Sequence, residues 1–571
     1  MVSFSKKSKY LYILLLAALL AIIGLGSLRA ELHAPVLSRE GGFYQEEFLL
    51  EIRSPNGAKI YYTLDGTDPA ENGILYQGPI PIQNASLNEN IHSARTDIST
   101  GFYTDLIREY DPTHTILNYR APDFLVDKCT TLRAVAINSR GQVSDVVSAS
   151  YFVGISPENY DGCNIISVVT DPDNLFDPDI GIYVTGTTFQ NYLESGKVSG
   201  GWFNWPANYR NRGIDWERPV TVQIFDNRGS LALTREAGIR VRGSATRGFV
   251  PRSLNLFARE EYDGLDSFGI SLFDSDFIPE TITLTSGGNA FVTQFNDFAM
   301  TWMVRDLNAV TTLYQPYVLF LNGEYWGFYW LSEKIDSNFF NHYYGVDEDN
   351  VVFIKFRTKA REDLVEVGLP EDVELFFELE TFFLEHDMSD PANYRQALER
   401  IDLESCLDYY ASMIYIARRA DWPDGNIGYW RSRTPSGQGY SDGKWRWVIF
   451  DCNGTCMRGG VDAPTGAILE AHDTLSLVLE QDVIFASLWK SDEFRTAFEK
   501  RILELADTCF DADTVSAFVD DYSETMKPIM EKSWARFYGS ENDMGRQFDE
   551  IVQTYHQFFQ TRKAYVQSWF E

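Results

Sequence analysis

The 571-residue sequence predicts an α+β chain in which a small all-β sandwich precedes a larger domain of mixed strands and helices. Three observations carry this expectation. Apolar residues alternate with period two, between frequent turns, from about Ala34 to Gly154. From about Asn164, alternating runs are interleaved with stripes at helical spacing. Beyond about Leu475 the stripes are helical to the end. A chain this long exceeds one core, and 44% hydrophobic with 15% aromatic residues excludes a disordered polymer.

The first 30 residues read as a targeting segment. Lys6, Lys7 and Lys9 precede an apolar run from Leu11 to Gly26. Those residues would span about 24 Å as a helix, against about 30 Å of hydrocarbon. The run is short for a spanning helix, and Leu28 fits a cleavage site before Glu31 poorly, so a cleaved signal peptide and a retained membrane anchor stay open. Both place the remainder outside the cytoplasm, secreted or held at the cell surface.

In the segment 34–154, Ile60, Tyr62 and Leu64 alternate with Lys59, Tyr61 and Thr63, and Asp65-Gly66-Thr67-Asp68-Pro69 follows as a turn. Thr131 to Ala136 is a second alternating run, ending in a turn at Asn138 to Gly141. The string Tyr61 to Pro69, with Tyr76-Gln77-Gly78-Pro79-Ile80 and Leu132 to Ala136, resembles the chitobiase/β-hexosaminidase C-terminal domain. That resemblance implies an immunoglobulin-like accessory module, a spacer or a contact to cell-wall glycan, with about Ala85 to Leu125 as an insertion.

The domain expected over 164–571 contains alternating strands at Val220–Ile224, Ile239–Arg242 and Leu254–Leu256, and a helix at Phe291–Leu307. A hairpin over Tyr317–Leu331 turns at Asn322-Gly323. An acidic helical excursion spans Arg361–Asp390, and Leu403, Leu407, Tyr410, Met413, Ile414 and Ala417 form one stripe of an amphipathic helix.

The chain leaving that helix carries Asp421 and Asn426 at D-x4-N spacing, and a strand rich in tryptophan then ends in Asp451. Phosphoryl transfer needs a carboxylate beside the acceptor hydroxyl, and a carboxylate and an amide oxygen on Mg²⁺. The helix, loop and strand resemble the ATP-site layout of protein kinases. By itself D-x4-N is a weak signal, equally the pattern of a loop whose Asp and Asn satisfy local backbone groups.

A wider set of motifs resembles the CotH (spore-coat H) family of atypical protein kinases. Arg240-Val241-Arg242-Gly243-Ser244-Ala245-Thr246-Arg247 and Pro251 to Leu256 are similar to its RG-x-S-x-R segment and the stretch after it. Asn322-Gly323-Glu324-Tyr325-Trp326-Gly327-Phe328-Tyr329, then Glu333 and Asp336, match its hairpin and E-x-x-D element. Asn174 to Val184 resembles its opening, and Trp445 to Asp451 its W-to-WD strand.

The resemblance implies an atypical protein-kinase-like fold that transfers the ATP γ-phosphate to Ser or Thr of an exported or surface protein, with Mg²⁺ or Mn²⁺. Asp421 takes the catalytic place, and Asn426, Asp451 and Asn453 the metal places. Arg252, Arg242, Arg247, Glu333 and Lys355 are the nucleotide candidates, with Glu333 set either at the adenine edge or in an ion pair. Two departures weaken the pattern: Arg252 stands where the family most often has lysine, and Asn453 replaces the second aspartate of WD-x-D. A non-catalytic surface protein is therefore the rival reading. A carbohydrate-active enzyme, suggested by the sandwich and the aromatics alone, is a third.

A net charge of −33 (49 basic against 82 acidic residues) repels phosphate backbones and argues against a nucleic-acid partner. The sequence has no H-E-x-x-H, G-x-S-x-G or P-loop string. Asp171 to Asp179 lacks the spacing of a calcium loop, and the six cysteines suit neither a zinc site nor a disulfide scaffold.

Overall fold

The structure is a computed structural model. It describes residues 32–113, 119–160, 162–273, 275–356, 364–419, 422–423, 425–456 and 469–571. The expected leader and Asp421 lie outside the described residues. Among the described residues no helix is long and apolar enough to cross a membrane.

The chain divides into two compact units. The smaller comprises Phe48–Ile82 and Leu132–Ala149, with the described residues up to Glu40. It is built on short antiparallel pairs. Lys59–Thr63 pairs with residues 133–137 on one side and Ile74–Leu75 on the other, and Phe48–Leu50 pairs with Ile80–Ile82. Pro69 opens a one-turn helix, where only a turn was expected. Asp68 caps that helix by accepting from the Ala70 N–H, and proline suits its first position.

The larger unit comprises Gly41–Glu47, Gln83–Thr131 and Ser150–Glu571. Its centre is a closed barrel of seven strands: β1 (Asn164–Val169), β2 (Arg218–Phe225), β3 (Leu231–Val241), β4 (Leu254–Phe257), β5 (Thr281–Thr285), β6 (Tyr314–Leu321) and β7 (Glu324–Glu333). Neighbours pair antiparallel in the order β1-β2-β3-β4-β5-β7-β6, and a parallel β1–β6 ladder closes the ring. Every residue of β7 is buried, because one face lines the barrel and the helix Ala512–Tyr538 covers the other. Gly327 permits that approach: a Cβ there would lie 2.7 Å from Ser533 Oγ, at a φ of 104° that side chains avoid.

The turn into β7 explains the segment expected to be a sandwich insertion. Residues 83–131 belong to the larger unit. The Glu324 carboxylate, only 4% exposed, accepts the N–H groups of Ile91, His92 and Ser93 at 2.7, 3.2 and 2.6 Å. Asn322 and Gly323, both at positive φ, make the tight turn that aims Glu324 there.

The helix expected over Phe291–Leu307 is shorter, α1 (Asn296–Met303), because Gln294 takes a φ of 47° just before it. A second, antiparallel sheet orders β9 (Val365–Val367), β8 (Val351–Phe356), β10 (Ile427–Ser432) and β11 (Arg446–Val448) as β9-β8-β10-β11. Beneath it lies α2 (Leu403–Tyr415), buried on nearly every side and not along one stripe alone. Five helices then fill Thr474 to Gln567, the last two being α3 (Ala512–Tyr538) and α4 (Met544–Gln567).

Candidate functional site

The site forms where α2 hands the chain to β10 and where the chain leaves β11. Past α2, Ala417 turns at a φ of 53° and Arg418 follows with 1% exposure. Its Nη2 donates to the carbonyl of Asn426 at 3.1 Å and of Asp451 at 2.8 Å. One buried guanidinium thus clips the start of β10 to the residues after β11. Asn426 and Asp451 have φ of 47° and 52°. Asn and Asp tolerate this left-handed region better than other side chains. The clip leaves Asn426 half-buried and Asp451 exposed.

Trp422 anchors the intervening loop, with its indole N–H on Tyr409 Oη at 2.9 Å and 1% exposure. Lys355, on β8, lies opposite Gly428 of β10, and its ammonium sits 3.9 Å above the Phe450 ring, one residue before Asp451. Lys355, Asn426 and Asp451 are therefore neighbours through one sheet.

Asp297, at the start of α1, joins this group without having been expected from sequence. One oxygen accepts the Cys452 N–H, and Oδ2 accepts Asn453 Nδ2 at 3.1 Å. Asn453 Nδ2 also lies 3.4 Å from Asp451 Oδ1. Burial, and next the charge of Asp451, push the Asp297 carboxyl up to about 6, while Arg418 and Arg242 oppose the shift. The cluster thus holds two carboxylates and two amides, flanked by Lys355 and Arg242. Arg242 is exposed and donates to Thr285 Oγ1 at 3.1 Å.

The other nucleotide candidates are spent inside the fold. Arg252 is fully buried, its guanidinium 3.7 Å from the Tyr209 ring centroid and 4.9 Å from that of Tyr183, with Nε on the Arg247 carbonyl at 2.7 Å. Arg247 is buried too and donates to the carbonyls of Gly243 and Asn211 at 2.7 and 2.9 Å. Burial, then neighbouring Arg212 and Arg210, push its guanidinium down to about 9. Both side chains brace the glycine-bearing turn, and no contact joins them to Asp451 among the described residues. Arg240 pairs with Glu217 at 3.2 Å. Glu333, 4% exposed, accepts from the Leu313 N–H at 2.8 Å and from Tyr343 Oη, and burial pushes its carboxyl up to about 7.

Arg418 and Asp297 escaped the sequence reading because their roles depend on contacts with residues far along the chain. The available signal was indirect: an arginine beside a D-x4-N loop, and an acid opening a helix.

The fold and site define a class of protein: a mixed α and β domain whose helix–loop–strand junction sets an amide beside a carboxylate. The family model described as CotH kinase protein matches residues 239–566, more than half of the 571 residues. The chain belongs to the CotH kinase protein family. A second model, Fn3 associated, matches residues 50–151. That match characterises the N-terminal module, whose chitobiase-type likeness rests on its motifs alone. No curated protein matches the chain.

Proposed function

We propose that this chain is an extracytoplasmic atypical protein kinase that transfers the ATP γ-phosphate to Ser or Thr of an exported or surface protein. The observation that carries the reading is the Arg418 clip, which holds the backbones of Asn426 and Asp451 together with the Asp451 side chain open to solvent. These residues suit a hard divalent cation, since both offer oxygen. Asn426, Asp451 and Asn453 would hold Mg²⁺ or Mn²⁺, which when bound neutralises phosphate charge. Asp421 would orient the acceptor hydroxyl and take its proton, and Lys355 and Arg242 are the cations best placed to meet phosphates. Arg247 and Arg252 would act indirectly by shaping the turn after Arg242, and Glu333 by bracing the end of β7.

The N-terminal basic and apolar run supports action outside the cytoplasm, with a membrane anchor if the run is retained. The sandwich would then serve as a spacer or a contact to cell-wall glycan. A non-catalytic surface protein is the second reading. Arg252 sealed between two tyrosines favours it. So does Asn453, whose amide N–H, not its oxygen, faces the carboxylates.

The deciding experiment is thermal stabilisation by ATP with and without Mg²⁺, beside Asp451→Ala, followed by phosphate transfer in Asp421→Ala. Metal-dependent stabilisation that vanishes in Asp451→Ala supports the nucleotide site. Retained binding without transfer in Asp421→Ala assigns the acceptor role. No stabilisation by ATP with either Mg²⁺ or Mn²⁺ leaves the non-catalytic reading.

A further inference from the structure

The residues after β11 are held from one side by the first turn of α1. Asp297 accepts both the Cys452 backbone N–H and the Asn453 side-chain amide. Asn296 beside it donates from Nδ2 to the Asn453 carbonyl at 3.0 Å. Tyr555, on α4, donates to Asn296 Oδ1 and backs this grip from behind. Three hydrogen bonds from two adjacent residues thus fix Cys452 and Asn453 across 155 to 157 residues of sequence. The neighbouring Asp451, at positive φ, has its carbonyl tied to Arg418. With its own carbonyl and the next N–H both held, the Asp451 backbone has little freedom to turn, which fixes the point from which its carboxylate projects.

We propose that Asp297 is the positioning residue of this site: it orients the Asp451–Asn453 segment from α1 and does not itself meet substrate. The anchoring half stands on the contacts alone. Its consequence for metal binding rests on the kinase reading above. Cys452 N–H and Asn453 Nδ2 are both donors, so they require a group with two acceptors at position 297. Asp297→Asn presents one donor and loses one bond. Asn453→Asp sets two acceptors face to face and loses the same bond. The double variant, Asp297→Asn with Asn453→Asp, interchanges donor and acceptor. The amide oxygen now at position 297 still accepts from Cys452, and the amide N–H beside it donates to the carboxylate now at position 453.

The test reads amide hydrogen exchange of the peptide carrying Cys452 in the full-length chain, without metal or nucleotide. Mn²⁺ affinity in the presence of ATP is then followed by the resonance of free Mn²⁺, with Asp451→Ala as the control. Each single variant should raise exchange about tenfold or more, the loss of one charge-assisted hydrogen bond, and the double variant should restore it. Mn²⁺ affinity should fall in Asp297→Asn; position 453 is itself among the proposed metal residues, so Asn453→Asp and the double variant are read by exchange alone. Unchanged exchange in Asp297→Asn, or no restoration in the double variant, overturns the anchor whatever the chain's activity. Raised exchange with unchanged Mn²⁺ affinity overturns the positioning role, as does a wild-type chain that exchanges as expected but binds no Mn²⁺. That last result also removes the kinase reading, which the exchange data keep separate.

Discussion

Arg418 Nη2 lies 2.8 Å from the carbonyl oxygen of Asp451, and the same nitrogen reaches the Asn426 carbonyl at 3.1 Å. The sequence separates the two acceptors by 25 residues (451 − 426), and a single buried cation brings them to one place. Arg418→Met keeps much of the volume and removes the donors. Two part-buried carbonyls then lose their partner, which should cost about 1–3 kcal/mol. Denaturant unfolding checks this, and metal-dependent ATP stabilisation should fall with it under the kinase reading.

Gly327 has the helix α3 directly against it. Gly327→Ala adds a methyl 2.7 Å from Ser533 Oγ and 3.1 Å from the Phe537 ring, at a φ of 104°. Overpacking and left-handed strain together should destabilise the larger unit by about 2–4 kcal/mol, seen as a lower denaturation midpoint. A midpoint within error of wild type would show that α3 can move away freely.

Glu324 holds residues 91–93 through three backbone N–H groups. Glu324→Gln keeps the size and turns one acceptor into a donor facing those N–H groups. Residues 83–131 should then become more sensitive to limited proteolysis, with a global stability loss of about 1–3 kcal/mol. Cleavage elsewhere, with this segment still protected, would contradict the role given to Glu324.

Glu333 introduces a pH dependence of known sign. Burial raises its carboxyl from the ordinary 4.5 to about 7, so the folded chain binds this proton more tightly than the unfolded chain. The resulting stability is fully present below pH 4.5 and is lost as pH rises through about 7. Glu333→Gln lacks this dependence. Relative to that variant, wild type should lose on the order of 1–3 kcal/mol between about pH 4.5 and 7.5, measured by unfolding at several pH values. A constant difference across that range would mean that the carboxyl titrates normally.

Much of the architecture was legible in local pattern. Period-two alternation marked Lys59–Thr63, β2 and β3, the Asn322-Gly323 turn marked the β6–β7 hairpin, and a stripe marked α2. The family was legible in strings such as Asn322 to Tyr329, because short-range geometry constrains them: a turn, a buried strand and a glycine under a helix. Asn426 and Asp451 could be singled out from spacing, since the proposed phosphoryl transfer calls for side chains of those types. What spacing cannot carry is where a side chain points. Arg252 looked like a phosphate ligand and is a core cation between two aromatic rings. The stretch from about Ala85 to Leu125 looked like a sandwich insertion, yet it falls in the larger unit, where Glu324 binds residues 91–93. Asp297 and Arg418, which hold the site, make their defining contacts across 155 and 33 residues. The sequence by itself determined the elements, the family and the chemistry on offer, because these follow from local periodicity and residue type. Only the tertiary structure decided which charges are spent inside the fold and which stay open at the site, because burial and long-range hydrogen bonding exist only once the chain has closed on itself.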